Sequence, residues 1–82
     1  MNDIETKVTE IIGKYQKAPI ENLSPNTPLA DLNIESLDLI EIIFEVEDTF
    51  DVDIEQDEKT ANLQTYGEVV DWLTKNITNQ QA

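Results

Sequence analysis

Apolar residues recur at the spacing of an α-helix in three separate segments of this 82-residue chain, and no segment of useful length alternates like a β-strand. The first segment predicts a helix over about 3–16, with one apolar stripe made of Ile4, Val8, Ile11, Ile12 and Tyr15. The second predicts a helix over about 36–50. The third predicts a helix over about 66–77, because Thr65 and Glu68 form a capping-box pattern just before another apolar stripe.

A long connection separates the first two helices, and three prolines, Pro19, Pro25 and Pro28, exclude a helix interior there. We expect the apolar residues of this connection to lie over the core: Ile20, Leu23, Leu29, Leu32 and Ile34. A short turn of helix is expected over about 57–61, and the polar residues after Ile77 are expected to fray. The prediction is an all-α fold, a small four-helix bundle with a long first loop, in which residues 1–82 form a single domain.

The composition excludes several classes of function. With 18 Asp and Glu against 5 Lys, the net charge is −13, which disfavours nucleic acid and anionic membranes and favours basic partners. No apolar run approaches membrane-spanning length, so we expect a cytoplasmic protein with no membrane insertion. The lack of His and Cys removes the imidazole base, the thiolate and the usual zinc ligands. A Ca²⁺ loop starting at Asp51 fails because Gln56 and Asn62 replace the required Gly and Glu, and we expect no metal site.

The second predicted helix carries more apolar surface than one core face needs. Leu37, Ile40 and Phe44 extend the apolar arc into a region shared with acidic residues, and the 24 residues from Glu35 to Glu58 contain 11 acids and no Lys. One interpretation is that the long loop covers these three residues and makes them core. The charge favours a docking surface for basic partners. The predicted docking residues are Glu35, Leu37, Asp38, Ile40, Glu41, Phe44, Glu47 and Asp48.

Ser36 taken alone is a natural helix N-cap. The segment around it, DLNIESLDLIE from Asp31 to Glu41, closely resembles the acyl carrier proteins, in which a D-L-G-x-D-S-L motif opens the second helix of a four-helix bundle. The order of first helix, Pro-containing loop, acidic second helix, short third helix and final helix extends the resemblance over nearly the whole chain. Two residues depart from the motif: Asn33 stands in place of Gly, and Glu35 in place of Asp.

The resemblance implies that Ser36 carries 4′-phosphopantetheine through a phosphodiester, and that an acyl chain is held on it as a thioester and sheltered between the helices. Ordinary core packing is the alternative for the residues predicted to line that shelter, which are Val46, Phe50, Ile54, Leu63 and Val69.

The resemblance further implies a discrete acyl carrier protein, a monomer that is not itself an enzyme. Its partners would be a phosphopantetheinyl transferase and the basic-surfaced acyl-loading and acyl-transfer enzymes of fatty-acid, lipid or polyketide synthesis. No base is evident for Ser36, which is consistent with chemistry performed by the partners. Two alternatives remain open at this point: an aminoacyl or peptidyl carrier, and an acidic helical adaptor that uses the same face without a prosthetic group.

Overall fold

The structure is a computed structural model that describes residues 3–16, 24–56, 60 and 62–81. It contains three α-helices, α1 (Asp3–Tyr15), α2 (Ser36–Phe50) and α3 (Tyr66–Gln81), with a 3₁₀-helix (Leu29–Leu32) between α1 and α2. Within those ranges there is no β-strand, and Pro28 and Thr65 form an isolated antiparallel bridge. The all-α prediction is confirmed. The four-helix count is not, because the helix predicted over about 57–61 lies outside the described residues except for Thr60.

The three helices pack around one apolar cluster, with α1 in contact with both α2 and α3. The predicted stripes supply most of the cluster, and the loop before α2 adds three residues, so this part of the loop does lie over the core as expected. Ile20 and Leu23, the other two expected anchors, lie outside the described residues. The buried residues are Val8, Ile11, Ile12, Leu29, Leu32, Ile34, Leu39, Ile42, Ile43, Val46, Val52, Ile54, Val69, Val70, Leu73 and Ile77.

A left-handed turn at Asn33 connects the 3₁₀-helix to α2. Asn33 has φ 57° and ψ 33°, and its N–H donates to the Ala30 carbonyl oxygen at 3.1 Å. Glycine adopts this conformation most easily, and Asn tolerates it better than most residues. The departure from Gly in the motif is therefore compatible with the turn, which places Ile34 in the core immediately before α2 begins.

The predicted capping box at the start of α3 is confirmed. The Thr65 N–H donates to Glu68 Oε1 at 3.0 Å, and the Glu68 N–H donates to Thr65 Oγ1 at 3.2 Å. Gly67, which precedes Glu68, donates its N–H to the Pro25 carbonyl oxygen at 2.9 Å. A Cβ atom on Gly67 would lie within 2.6–2.8 Å of Pro25, so this close approach requires glycine.

The prediction that α3 ends near Ile77 is wrong, because the helix continues to Gln81. The polar last turn has a tertiary partner. The Asp53 N–H donates to Gln80 Oε1 at 2.9 Å, and Gln80 Nε2 donates to the Asp53 carbonyl oxygen. In the described part of the chain, no helix is both long enough and apolar enough to cross a bilayer.

Candidate functional site

Ser36 is the first residue of α2, and the prediction that it is the N-cap is wrong. Glu35 occupies the N-cap position, with extended backbone angles of φ −96° and ψ 171°. The Glu35 N–H donates to Asp38 Oδ2 at 3.1 Å, and the Glu35 carbonyl oxygen accepts the Leu39 N–H at 3.0 Å. Glu35 and Asp38 thus stand in the capping-box relation, which the sequence spacing could have indicated. Ser36 is exposed, and its hydroxyl lies outside the N-cap position.

A cavity of about 310 Å³ adjoins Ser36. Half of its lining residues are apolar, and its exposed lining residues are Glu35 and Ser36 at the start of α2 and Gln56 after the end of α2. The lining residues are Leu29, Glu35, Ser36, Leu39, Ile40, Gln56, Thr60 and Leu63. A binding site for part of a long flexible group is compatible with this combination of buried apolar and exposed polar residues.

Of the five residues predicted to line an acyl shelter, Leu63 lines this cavity. Val46, Ile54 and Val69 are buried in the apolar cluster, and Phe50 packs against that cluster half-buried. These four positions agree with the alternative of ordinary core packing, and their role in sheltering an acyl chain stays a prediction.

Four of the predicted docking residues form one exposed stripe along α2. Leu37, Glu41, Phe44 and Asp48 follow one another at intervals of four, three and four residues, which is the spacing of a single helix face. Leu37 is 68% exposed and Phe44 is 57% exposed. The interpretation that the loop buries these two side chains is therefore wrong. We call Leu37, Glu41, Phe44 and Asp48 the outer stripe.

The remaining predicted docking residues lie beside the outer stripe and make contacts within the chain. Ile40 lines the cavity, while Glu35 and Asp38 form the start of α2. Glu47 Oε2 accepts the Ile54 N–H at 2.9 Å. Their contribution to docking stays a prediction.

Glu45 has a partner that reasoning from α2 alone missed. Lys14 Nζ on α1 lies 2.6 Å from Glu45 Oε2, and the Tyr15 hydroxyl donates to Glu45 Oε1 at 3.0 Å. The hydrogen bond from Lys14 lowers the pKa of the Glu45 carboxyl, and the bond from Tyr15 adds a smaller lowering. The same bond to Glu45 is the main cause that raises the pKa of the Tyr15 hydroxyl. Local sequence carries no signal for this contact, because it depends on the packing of α1 against α2.

The comparisons with known proteins agree with this geometry. The family described as "Phosphopantetheine attachment site" matches residues 6–73. The acyl carrier protein of Amoebophilus asiaticus is 36% identical over 81 residues, covering 98% of this chain and 100% of the relative. The acyl carrier protein of Buchnera aphidicola is 35% identical over 74 residues, covering 89% of this chain and 92% of the relative.

A solved structure supports the fold independently. The crystal structure of an acyl carrier protein from Thermotoga maritima superposes with a TM-score of 0.71 at 21% identity, over 98% of this chain and 99% of that one. The helical fold and the matched region define a carrier of a phosphopantetheine group. The chain belongs to the acyl carrier protein family and carries covalently attached 4′-phosphopantetheine.

The residues around Ser36 fit that group. The hydroxyl is exposed at the first turn of a 15-residue helix, where the positive end of the helix dipole favours a phosphate. The adjoining cavity offers apolar walls to whatever the group carries. A serine at this place can therefore hold a phosphodiester at the helix terminus and direct the rest of the group toward the cavity or toward solvent.

Proposed function

We propose that Ser36 is the residue to which 4′-phosphopantetheine is attached. The observation that supports this most strongly is its position, because its exposed side chain lies between the cavity and the outer stripe at the first turn of α2. The chain has one other serine, Ser24, which is also exposed but lies in the loop before the 3₁₀-helix. Its hydroxyl lies 3.3 Å from Thr27 Oγ1 in a turn.

The prosthetic group supplies the thiol on which acyl chains are held as thioesters. In this proposal the protein's own residues hold the group, contact the carried chain and bind the partner enzymes. The α2 terminus holds the phosphate, Leu39, Ile40 and Leu63 give the carried chain an apolar surface, and the outer stripe presents the loaded site to partner enzymes. On this proposal the chain is a carrier rather than an enzyme, since the reactions belong to its partners.

The attachment site is tested by intact mass. The chain is co-expressed with a broad-specificity phosphopantetheinyl transferase, and the mass of the wild type is compared with that of Ser36→Ala and Ser24→Ala. We expect the wild type and Ser24→Ala to gain the mass of one phosphopantetheinyl group and Ser36→Ala to gain nothing. A mass gain on Ser36→Ala, or its loss on Ser24→Ala, would reject Ser36 as the attachment residue.

We further propose that the outer stripe docks basic surfaces of the transferase and of acyl-loading and acyl-transfer enzymes. Its two exposed apolar side chains, Leu37 and Phe44, supply contact area, and Glu41 and Asp48 beside them supply charge complementarity that speeds encounter. Synthesis of fatty acids, other lipids or polyketides is the proposed setting. The cytoplasmic location, the monomeric state and the single domain over 1–82 stay predictions.

The cavity beside Ser36 is the proposed site for the first part of the carried acyl chain. It is apolar where Leu29, Leu39 and Leu63 line it, and it adjoins the attachment residue directly. An acyl chain within it would be removed from water, which stabilises the loaded state in proportion to the apolar area buried.

A further inference from the structure

The segment that follows α2 alternates between buried and exposed residues, and two side chains bind part of its backbone. After Asp51, whose backbone is left-handed, Val52 and Ile54 are buried while Asp53 and Glu55 are exposed, which is the alternation of an extended chain. In the described part of the chain this segment has no strand beside it. Its peptide groups therefore need other partners, because leaving a partly buried peptide group unpaired is costly.

The Val52 N–H donates to the Glu47 carbonyl oxygen at 3.1 Å, and two side chains from different helices bind the backbone of Asp53 and Ile54. Gln80, in the last turn of α3, uses both ends of its amide: Oε1 accepts the Asp53 N–H at 2.9 Å, and Nε2 donates to the Asp53 carbonyl oxygen. Glu47, in the last turn of α2, accepts the Ile54 N–H at 2.9 Å. We call these contacts of Gln80 and Glu47 with Asp53 and Ile54 the 53–54 clamp.

The clamped segment leads directly to the cavity beside Ser36. Gln56, two residues after Ile54, lines that cavity together with residues of α2 such as Leu39 and Ile40. In an extended chain, two residues span only about 7 Å, so the position of Ile54 restricts the position of Gln56. Gln80, which binds the backbone just before Gln56, therefore lies in the last turn of α3 and outside the cavity itself.

We propose that Gln80 is a positioning residue for the cavity: by clamping both peptide groups of Asp53, it holds the segment that forms the Gln56 wall beside Ser36. Any effect of Gln80 on acyl carriage rests on the proposed function of the cavity. The clamp also accounts for the length of α3, because the Gln80 amide reaches Asp53 only if the helix continues past Ile77.

The experiment compares Gln80→Ala with Asn79→Ala in the chain without its prosthetic group. Asn79→Ala is the matched control, because it removes an adjacent exposed amide from the same turn. Amide hydrogen exchange measured by NMR reports the clamp, and the methyl chemical shifts of Ile40 and Leu63 report the cavity wall. Exchange at buried α1 residues such as Ile12 reports whether each variant remains folded.

In Gln80→Ala we expect exchange at Asp53 to be roughly fivefold faster, the effect of losing about 1 kcal/mol of hydrogen bonding. We expect the Ile40 and Leu63 methyl resonances to shift in the same variant, while Asn79→Ala matches the wild type in both measurements. Unchanged exchange at Asp53 would overturn the proposal. Faster exchange at Asp53 with unchanged Ile40 and Leu63 resonances would overturn it as well, because the clamp would then be purely local.

A separate measurement tests the cavity as the acyl site. The wild-type chain carrying phosphopantetheine is loaded with an octanoyl group, and the Ile40 and Leu63 resonances are compared before and after loading. We expect them to move, which would support the functional meaning of the clamp. Unmoved resonances would reject the acyl role of the cavity and, with it, the effect of Gln80 on acyl carriage. The positioning of the wall by Gln80 is decided by the unloaded chain alone, so the two failures are distinguishable.

Discussion

The two faces of α2 carry similar apolar residues and have opposite environments. On the inner face, four residues are at most 7% exposed, whereas on the outer stripe Leu37 and Phe44 are more than half exposed beside Glu41 and Asp48. The inner residues are Leu39, Ile42, Ile43 and Val46. The two faces differ because α1, α3 and the loop before α2 cover only one of them.

This difference shows that part of the apolar surface of α2 is kept out of the core. Full burial of a side chain such as Phe44 would stabilise the fold by about 1.5–3 kcal/mol, which is a large fraction for a chain of this size. An apolar residue that forgoes this stabilisation and lies among acids is typical of a surface that other proteins contact. Substitutions on the two faces should therefore separate stability from partner recognition.

The largest expected loss of stability comes from a substitution on the inner face of α2. Ile43 is fully buried, so Ile43→Ala removes packed methyl groups and leaves a cavity, which should lower the free energy of unfolding by about 2–5 kcal/mol. Phe44→Ala, one residue away, should change it by no more than about 0.5 kcal/mol, because the ring is already mostly in water. Urea unfolding followed by circular dichroism measures both.

The rate of modification by a partner enzyme should instead depend on Phe44. Because Phe44 belongs to the outer stripe, Phe44→Ala should slow modification by a phosphopantetheinyl transferase roughly tenfold, the effect of losing an interface contact worth about 1.4 kcal/mol. A stability loss in Phe44→Ala as large as that in Ile43→Ala would remove the distinction between the faces.

A smaller effect is expected from charge on the outer stripe. Glu41→Lys should slow the transferase reaction roughly three- to tenfold and weaken its dependence on ionic strength, because a rim charge acts mainly on encounter. Glu10→Lys is the matched control, since it makes the same change in net charge at an exposed position on α1. Rates measured from low to high salt test this, and equal slowing by both variants would mean that only net charge matters.

The smallest effect on stability is expected from the contact between Lys14 of α1 and Glu45 of α2. Because Lys14 lowers the pKa of Glu45 in the folded chain, this pair contributes stability above the ordinary carboxyl pKa and loses it as the pH falls through the lowered pKa. Glu45→Gln should therefore be less stable than the wild type at neutral pH by roughly 0.5 kcal/mol, a typical value for a partly exposed pair. The difference should vanish in acid.

Unfolding of both proteins from neutral to acid pH checks this expectation. The other carboxylates titrate in both, so the difference between the curves isolates Glu45. Glu45→Gln made in a Lys14→Gln background serves as the control and should show a smaller pH-dependent difference, because the main cause of the lowered Glu45 pKa is then absent. A constant difference between Glu45→Gln and the wild type at every pH would contradict the assigned role of the Lys14 contact.

Sequence reasoning succeeded where the signal was local. The start of α3 followed from Thr65 and Glu68, which are close enough to cap one another without help from the rest of the chain. It was wrong at the start of α2, where Ser36 has the better intrinsic preference for the N-cap. There the turn at Asn33 and the bond from the Glu35 N–H to Asp38 place the cap one residue earlier.

The sequence by itself determined where α1, α2 and α3 lie along the chain, the apolar stripes, the acidic charge around Ser36 and the resemblance to acyl carrier proteins, because these depend mainly on residues within a few positions of one another. Only the tertiary structure decided which apolar surface of α2 stays exposed, that Glu45 pairs with Lys14, and that Gln80 in the last turn of α3 binds Asp53. Those contacts join residues 31 and 27 positions apart. Contacts of that separation depend on how helices pack, which no local pattern specifies.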